Sequence, residues 1–190
     1  MPSLHADISA NPPACRRSTA YPTEKPQITR IWAEHECQLV ELLCGLDRSS
    51  RINRFGHPAS DACVEAYAKG AIVVAAFIAG VFAQGWIIGV VEVLEASRDG
   101  IAEAAFAVAA DWRRQGVGSD LLAAGRRWAE QSGIRTLRMV IARNNWPMRG
   151  LAHKAGARLD FDLDEIFADI AVATAAGLSS RWLAAAARAN

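Results

Sequence analysis

Apolar residues alternate along AEAAFAVA, Ala102–Ala109, which puts Phe106 and Val108 on one face of a strand and Glu103, Ala105 and Ala107 on the other. Beyond Asp111-Trp112 the pattern breaks at Arg113-Arg114-Gln115-Gly116-Val117-Gly118. It resumes from Ser119 with helical spacing through Leu121, Leu122 and Trp128, and Ser132-Gly133 closes that helix. Upstream, a first strand is expected near Gln27–Ile31 and a helix over Trp32–Cys44 with Leu39, Leu42 and Leu43 inward. Asp47-Arg48-Ser49-Ser50 reads as the cap of a second helical piece, and Asp61 as the start of another running to Ala68. Downstream, Thr136–Ala142 reads as a strand. Asn144–Met148 turns into a helix with Pro147 early in it, closed by Ala155-Gly156. A final strand pair is expected over Leu159–Val172 around Asp164-Glu165, then an Ala-rich helix from Gly177 to Asn190.

Gly70–Val91 holds no charged residue and is long enough to span a bilayer as a helix. Gly80 and Gln84-Gly85 split it, however, and its halves, Ala71–Ile78 and Trp86–Leu94, have strand length and strand composition. A buried hairpin is therefore expected, with Ala79–Ala83 as an apolar connection. Helices alternating with strands make this an α/β chain around one mixed sheet.

At 190 residues one domain is expected: a flexible, proline-rich segment over residues 1–26, a body over 27–175 and a helical tail over 176–190. The 21 basic and 20 acidic residues leave a formal charge of +1 without long blocks of one sign, which argues against nucleic-acid and membrane partners. The four cysteines show no metal-ligand spacing. Cys37 and Cys44, two turns apart, suit small buried thiols, so no metal and a reduced, cytoplasmic setting are expected. No basic-then-apolar leader is read at the start, where His5, Asp7 and Asn11 interrupt.

A strand feeding a glycine turn and then a helix aims backbone N–H groups at one spot, at the positive end of the helix dipole, so the natural occupant is an anion such as a phosphate. A P-loop would need Lys and Ser or Thr where Ser119-Asp120 stands, and a dinucleotide turn a third glycine at Leu121. What fits is basic-x-x-Gly-x-Gly between strand and helix, which resembles the coenzyme A pyrophosphate loop of the GNAT acetyltransferase superfamily; an ordinary strand-to-helix turn is the plain alternative. Asp47-Arg48-Ser49-Ser50-Arg51 with Arg54-Phe55, Ile88-Gly89-Val90, Ala102-Glu103, Asn145-x-x-Met148-x-x-Leu151-Ala152 and Ala155-Gly156 resemble further motifs of that superfamily in order, closest to its bacterial protein-lysine acetyltransferase branch.

The resemblance implies a GNAT fold, a mostly antiparallel mixed sheet with flanking helices, and acetyl-CoA held where the fourth and fifth strands part. Phe106, Ala107 and Val108 would then face pantetheine. Arg113, Arg114, Gln115, Gly116, Val117, Gly118 and Ser119 would cradle the pyrophosphate, with Asn145 and Met148 beside the cofactor. Arg113 reads equally as a solvated residue, and Asn145 also reads as an Asx turn or helix cap before Pro147, a role compatible with the first. Amine acetylation needs a neutral nucleophile, and Glu103, the carboxylate in an apolar strand, is the expected general base, with burial raising its pKa; a solvent-exposed strand end is the alternative. The tyrosine that protonates the leaving thiolate in relatives would stand at Ala152 and is absent; His153 reads as a bystander, which leaves the acid unassigned. Asp160, Asp162 and Asp164 alternate along the penultimate strand and would attract a cationic acceptor, or form a solvated edge. The expected activity is acetyl transfer from acetyl-CoA to a protein lysine or small cationic amine. A catalytically silent acyl-CoA-binding module and a membrane-anchored protein are the alternatives. The Ala79–Ala83 connection and the Trp182 helix hint at a homodimer surface.

Overall fold

A computed structural model describes residues 27–173. These described residues form a seven-stranded sheet flanked by five α-helices. In order these are β1 (Gln27–Arg30), α1 (Glu36–Cys44), α2 (Arg48–Phe55), α3 (Asp61–Val74), β2 (Phe77–Ala83), β3 (Trp86–Val93), β4 (Ile101–Val108), α4 (Val117–Gln131), β5 (Thr136–Ala142), α5 (Trp146–Lys154), β6 (Arg158–Asp162) and β7 (Glu165–Ala171). Sheet order is β1-β2-β3-β4-β5-β7-β6. Every neighbouring pair is antiparallel except β4 and β5, which run parallel. The fold class expected from the sequence is the one found.

Each face carries its own core. Ala102 and Ala104 on β4 with Leu137, Met139 and Ile141 on β5 and Ile166, Ala168 and Ile170 on β7 pack beneath Val117, Leu121 and Leu122 of α4 and Ala152 of α5. On the opposite face Ile78, Ile87, Val90 and Ala107 meet Leu39, Leu42 and Leu43 of α1 and Val64, Ala68 and Ala71 of α3. The second set covers β2 to β4 only. Over β5 to β7 that face carries Arg138, Val140, Phe167, Asp169 and Asp160, half-buried or exposed.

One expected element is corrected. Ala71–Val74 continues α3 and is not a strand. The Ser60 hydroxyl caps that helix by accepting from Cys63 N, and Val64, Ala68 and Ala71 form an inward stripe three and four residues apart. This leaves Val73 and Val74 85 % and 70 % exposed, so local β-propensity loses to the buried stripe. The strand begins at Phe77, and Gly80 lies inside it, where an added Cβ would stand 3.0 Å from Ile31 Cδ1. Ala79–Ala83 is thus a mostly buried strand segment and not a connection. The turn is Gln84-Gly85, both at positive φ (53° and 79°), the geometry of a tight hairpin. Cys37 and Cys63 are exposed and Cys44 half-buried, so the expected burial of Cys37 is not found. Asp164 sits in the β6–β7 turn, leaving only Asp160 and Asp162 alternating on β6. No helix among the described residues is long and apolar enough to cross a membrane. The expected N-terminal segment (1–26) and the Trp182 helix lie outside the described residues.

Candidate active site

The site forms where the two parallel strands part. β4 has eight residues and β5 seven, yet their ladder covers only Ile101–Glu103 against Thr136–Arg138. Past Glu103 they diverge, leaving Phe106, Ala107 and Val108 along one wall of a wedge that opens toward the C-terminal ends of both strands. Crevices at such ends are the usual binding places of α/β sheets.

The loop after β4 and the start of α4 close one side. Gly116, at φ 90°, is the left-handed residue that begins α4, and an added Cβ there would meet nothing within 4 Å. Ser119 N (2.9 Å) and Asp120 N (3.0 Å) donate to Gly116 O, so the N–H groups of Val117 and Gly118 precede the first helical bonds and lie at the dipole's positive end. Val117 is buried, Gly118 half-buried, and Arg114, Gln115 and Ser119 exposed. Arg114 is also left-handed (φ 58°), an uncommon state for a residue with a side chain. Gln115 Nε2 donates to Asp111 O at 2.6 Å, which ties the loop to itself. The cradle approaches the sheet closely because β3 carries glycine: a Cβ on Gly89 would stand 2.8 Å from Val117 Cγ1 and 3.1 Å from Leu121 Cδ1.

Arg113 is partly exposed and engaged within the protein. Its Nε donates to Val108 O at 3.2 Å and its Nη2 donates at 2.9 Å to both Asp47 Oδ2 and Ser50 Oγ, pinning the N-terminus of α2 to the loop. Asp47 is also the cap of α2, accepting from Ser50 N at 2.9 Å and from the Ser49 hydroxyl at 2.6 Å. These bonds, with Ser49 foremost and Arg113 adding to them, hold its carboxyl far below the usual carboxylate range. No residue of α2 is buried. Guanidinium groups anchor the helix beside the half-buried Phe55, which packs edge-on against Tyr67: Arg51 donates to Leu46 O, Ala59 O and Cys44 O and pairs with Asp61 at 2.6 Å, while Arg54 reaches the sheet. The Asp-x-x-Ser-x-x-x-Arg-Phe run noted in the sequence is this polar fastening.

On the other side of the wedge Asn145 caps α5, its Oδ1 accepting from Met148 N at 3.3 Å, with Pro147 in the first turn. Met148 is half-buried against the core under α4 and α5. Ala152, where relatives would carry tyrosine, is fully buried, and His153 is exposed.

Glu103 stands at the last rung before the strands part, on the face that α1 to α3 leave open over β5 to β7. It is exposed, so the burial expected around it is not found. Its register partner Arg138 is held by a forked pair with Asp169, 2.7 Å at each bond, and Arg158 approaches the same carboxylate at 3.8 Å. The Asp169 hydrogen bonds, and then the fields of Asp169, Asp160 and Glu103, hold the Arg138 guanidinium above its ordinary value.

Sequence reasoning missed a second carboxylate. Glu92, in mid-β3, is 1 % exposed; its Oε2 accepts from Tyr67 Oη at 2.5 Å and pairs with Arg54 Nη2 at 2.9 Å. Burial, then the Glu92 charge, pushes the Tyr67 hydroxyl up to about 12. The available signal was a lone charge inside an apolar strand, the pattern already used to single out Glu103.

A wedge between parallel strands, a glycine-started helix at one lip and a carboxylate at its root suit a ligand with an anionic head and a reactive tail. The sequence profile of the acetyltransferase (GNAT) family matches residues 27–157, and the chain belongs to that family of acyltransferases, whose acyl donor is acetyl-CoA. Among solved structures, the GNAT domain of S. lividans PAT superposes with a TM-score of 0.68 at 21 % identity, covering 77 % of this chain and 90 % of that one. The PaiA N-acetyltransferase of Thermoplasma acidophilum, solved with coenzyme A, gives 0.62 at 18 % identity over 78 % and 99 %. The ribosomal-protein-S18-alanine N-acetyltransferase of Escherichia coli gives 0.61 at 16 % over 80 % and 96 %. No curated protein matches the sequence.

Proposed function

We propose that this protein moves the acetyl group of acetyl-CoA directly to a primary amine, a protein lysine or small cationic amine, with Glu103 as general base. The observation that carries the reading is the wedge beyond the Glu103–Arg138 rung, with α4's free N–H groups at its lip and Glu103 at its root. The residues fit the donor: Gly116 leaves the backbone bare, Val117 and Gly118 offer N–H groups to a pyrophosphate, and the Ser119 hydroxyl and the exposed Arg114 and Gln115 lie alongside. Phe106, Ala107 and Val108 would flank pantetheine, with Asn145 and Met148 opposite. Arg113 would contribute by holding the loop in place.

Acetyl-CoA supplies a thioester that an amine can open. A lysine-like amine is almost wholly cationic at neutral pH and must lose a proton to attack. Exposed at the root of the wedge, Glu103 can take that proton and pass it to water. Acidic Asp160 on the same open face would favour the cationic form as it arrives. Holding both partners in one cleft supplies much of the acceleration.

The silent acyl-CoA-binding reading has one observation in its favour, a buried alanine at position 152 in place of tyrosine. Two measurements separate the readings. Acetyl-CoA at about 100 times its dissociation constant should stabilise the fold by about 2.7 kcal/mol, visible as a higher melting temperature. Glu103→Gln should keep that shift and lose amine acetylation; a variant equal to the parent in transfer removes Glu103 from the mechanism.

A further inference from the structure

The rung at Glu103 continues across the sheet. Glu103 on β4 stands opposite Arg138 on β5, Arg138 opposite Asp169 on β7, and Asp169 opposite Arg158 on β6. Side chains of paired residues share a face, so these charges of alternating sign form one row on the face that α1 to α3 leave open. Arg138 has a carboxylate on either side of it.

It engages only one of them. Nε and Nη2 donate to the two Asp169 oxygens at 2.7 Å each, a fork that uses one whole edge of the guanidinium. Phe167 steadies the same group, its ring centroid lying 5.3 Å from Arg138 Cζ. Among the described residues the Glu103 side chain forms no ion pair or hydrogen bond, although its charge is felt at Arg138. Arg158, exposed and 3.8 Å from Asp169, stands two strands further from Glu103 than Arg138 does. On β3, Glu92 shares the face of Glu103 and takes Arg54 of α2 at 2.9 Å, with the Tyr67 hydroxyl of α3 on the same oxygen. Arg138, Arg158 and Arg54 are thus each turned toward a carboxylate other than Glu103.

We propose that Asp169 is a positioning residue for proton removal: by holding the forked edge of Arg138 it keeps that guanidinium off Glu103, whose carboxylate stays open to the acceptor's ammonium. A guanidinium bound to a carboxylate occupies its lone pairs and favours its charged form, and both effects weaken a base. The row supplies a cation beside Glu103 and, one strand further on, the anion that restrains it. The inference rests on the reading of Glu103 as general base.

Asp169→Asn keeps the shape of the side chain and removes the charge that holds Arg138, which is then expected to turn to Glu103. With Nα-acetyl-lysine amide as acceptor, kcat is expected to fall by about tenfold, a part of the roughly 10²–10⁴-fold that a general base contributes, while KM for acetyl-CoA stays as in the parent. Adding Arg138→Gln to Asp169→Asn is expected to restore most of that kcat, because the group that covers Glu103 is gone. No fall in Asp169→Asn, or a fall that Arg138→Gln does not relieve, overturns the inference. A second readout needs no turnover: the N–H resonance of Arg138 Nε, followed by NMR in arginine-labelled protein. Glu103→Gln is expected to leave it nearly in place in the parent and to move it in Asp169→Asn. A resonance that ignores Glu103 in both proteins, or follows it equally in both, overturns the inference. Should Asp169→Asn fail to fold, Arg138→Lys decides, since an ammonium keeps the charge but cannot fork across both Asp169 oxygens. Its kcat is expected to fall, and a kcat equal to the parent's overturns the inference. A parent that acetylates no amine refutes the transferase reading, whereas the resonance still decides whether Asp169 withholds Arg138.

Discussion

Arg113 and Asp47, 66 positions apart, meet at 2.9 Å and tie the loop that begins α4 to the first turn of α2. One guanidinium thereby fastens α2 to the loop at the lip of the wedge, and it also holds Val108 O at the end of β4.

Replacing Asp47 by alanine removes the cap of α2 and a partner of Arg113. The expected cost is about 1 kcal/mol, the usual value of an N-cap, with no large ion-pair contribution because both side chains are partly exposed. Its pH dependence has a definite sign. The folded carboxyl lies below its unfolded value of about 3.9, so the stabilisation is complete above that pH and fades as pH falls toward the folded value. Urea melts of parent and Asp47→Ala should differ by a constant amount from neutral pH down to about 5 and converge below about 4. Convergence at higher pH would contradict the hydrogen bonds assigned to Asp47.

Gly89→Ala tests the packing that brings the cradle to the sheet. The new methyl would stand 2.8 Å from Val117 Cγ1 and 3.2 Å from Ala107 O, so α4 must lift at its N-terminus. A loss of about 1–3 kcal/mol is expected, with weaker acetyl-CoA binding by calorimetry. Unchanged affinity alongside lower stability would show that the cradle tolerates the lift.

Gly116→Ala separates backbone strain from crowding, since its Cβ would meet nothing within 4 Å while φ stays at 90°. The expected loss is about 1–2 kcal/mol, all of it conformational. Restoring the loop's shape with acetyl-CoA should recover part of it, and a melt of the variant unaffected by ligand would place the anion elsewhere.

Glu103→Gln should lower the turnover number for amine acetylation by about 10²–10⁴-fold with the acetyl-CoA melting shift intact, the range for loss of a general base. A fall in acetyl-CoA affinity of the same size would assign Glu103 to donor binding.

Most of the fold was legible because its signals are local. Gln84-Gly85 marked its turn, Asp47 and Asn145 their helix starts, and the alternation in Ala102–Val108 its strand. Ala71–Val74 misled because Val and Ile favour strands locally, whereas the stripe Val64, Ala68, Ala71 that makes them helical needs the sheet to be present. Of the candidate site, the glycine turn was visible because φ at Gly116 demands glycine. The exposure of Glu103 was not, since alternation assigns a residue to a face without saying which face the helices leave bare. Arg113's engagement with Asp47, and Glu92's with Tyr67 and Arg54, join distant segments, and no pattern within one segment encodes them.

The three-rung ladder between β4 and β5 has a mechanical meaning. It makes the sheet two plates, β1–β4 and β5–β7, and α4 is the helix that rests on both. The angle between those plates sets how far the loop at Gly116 stands from the start of α5 at Asn145. The underside of α4 therefore bears on the width of the wedge at Gly125, which faces Val91 and Val93 of one plate and Leu137 of the other.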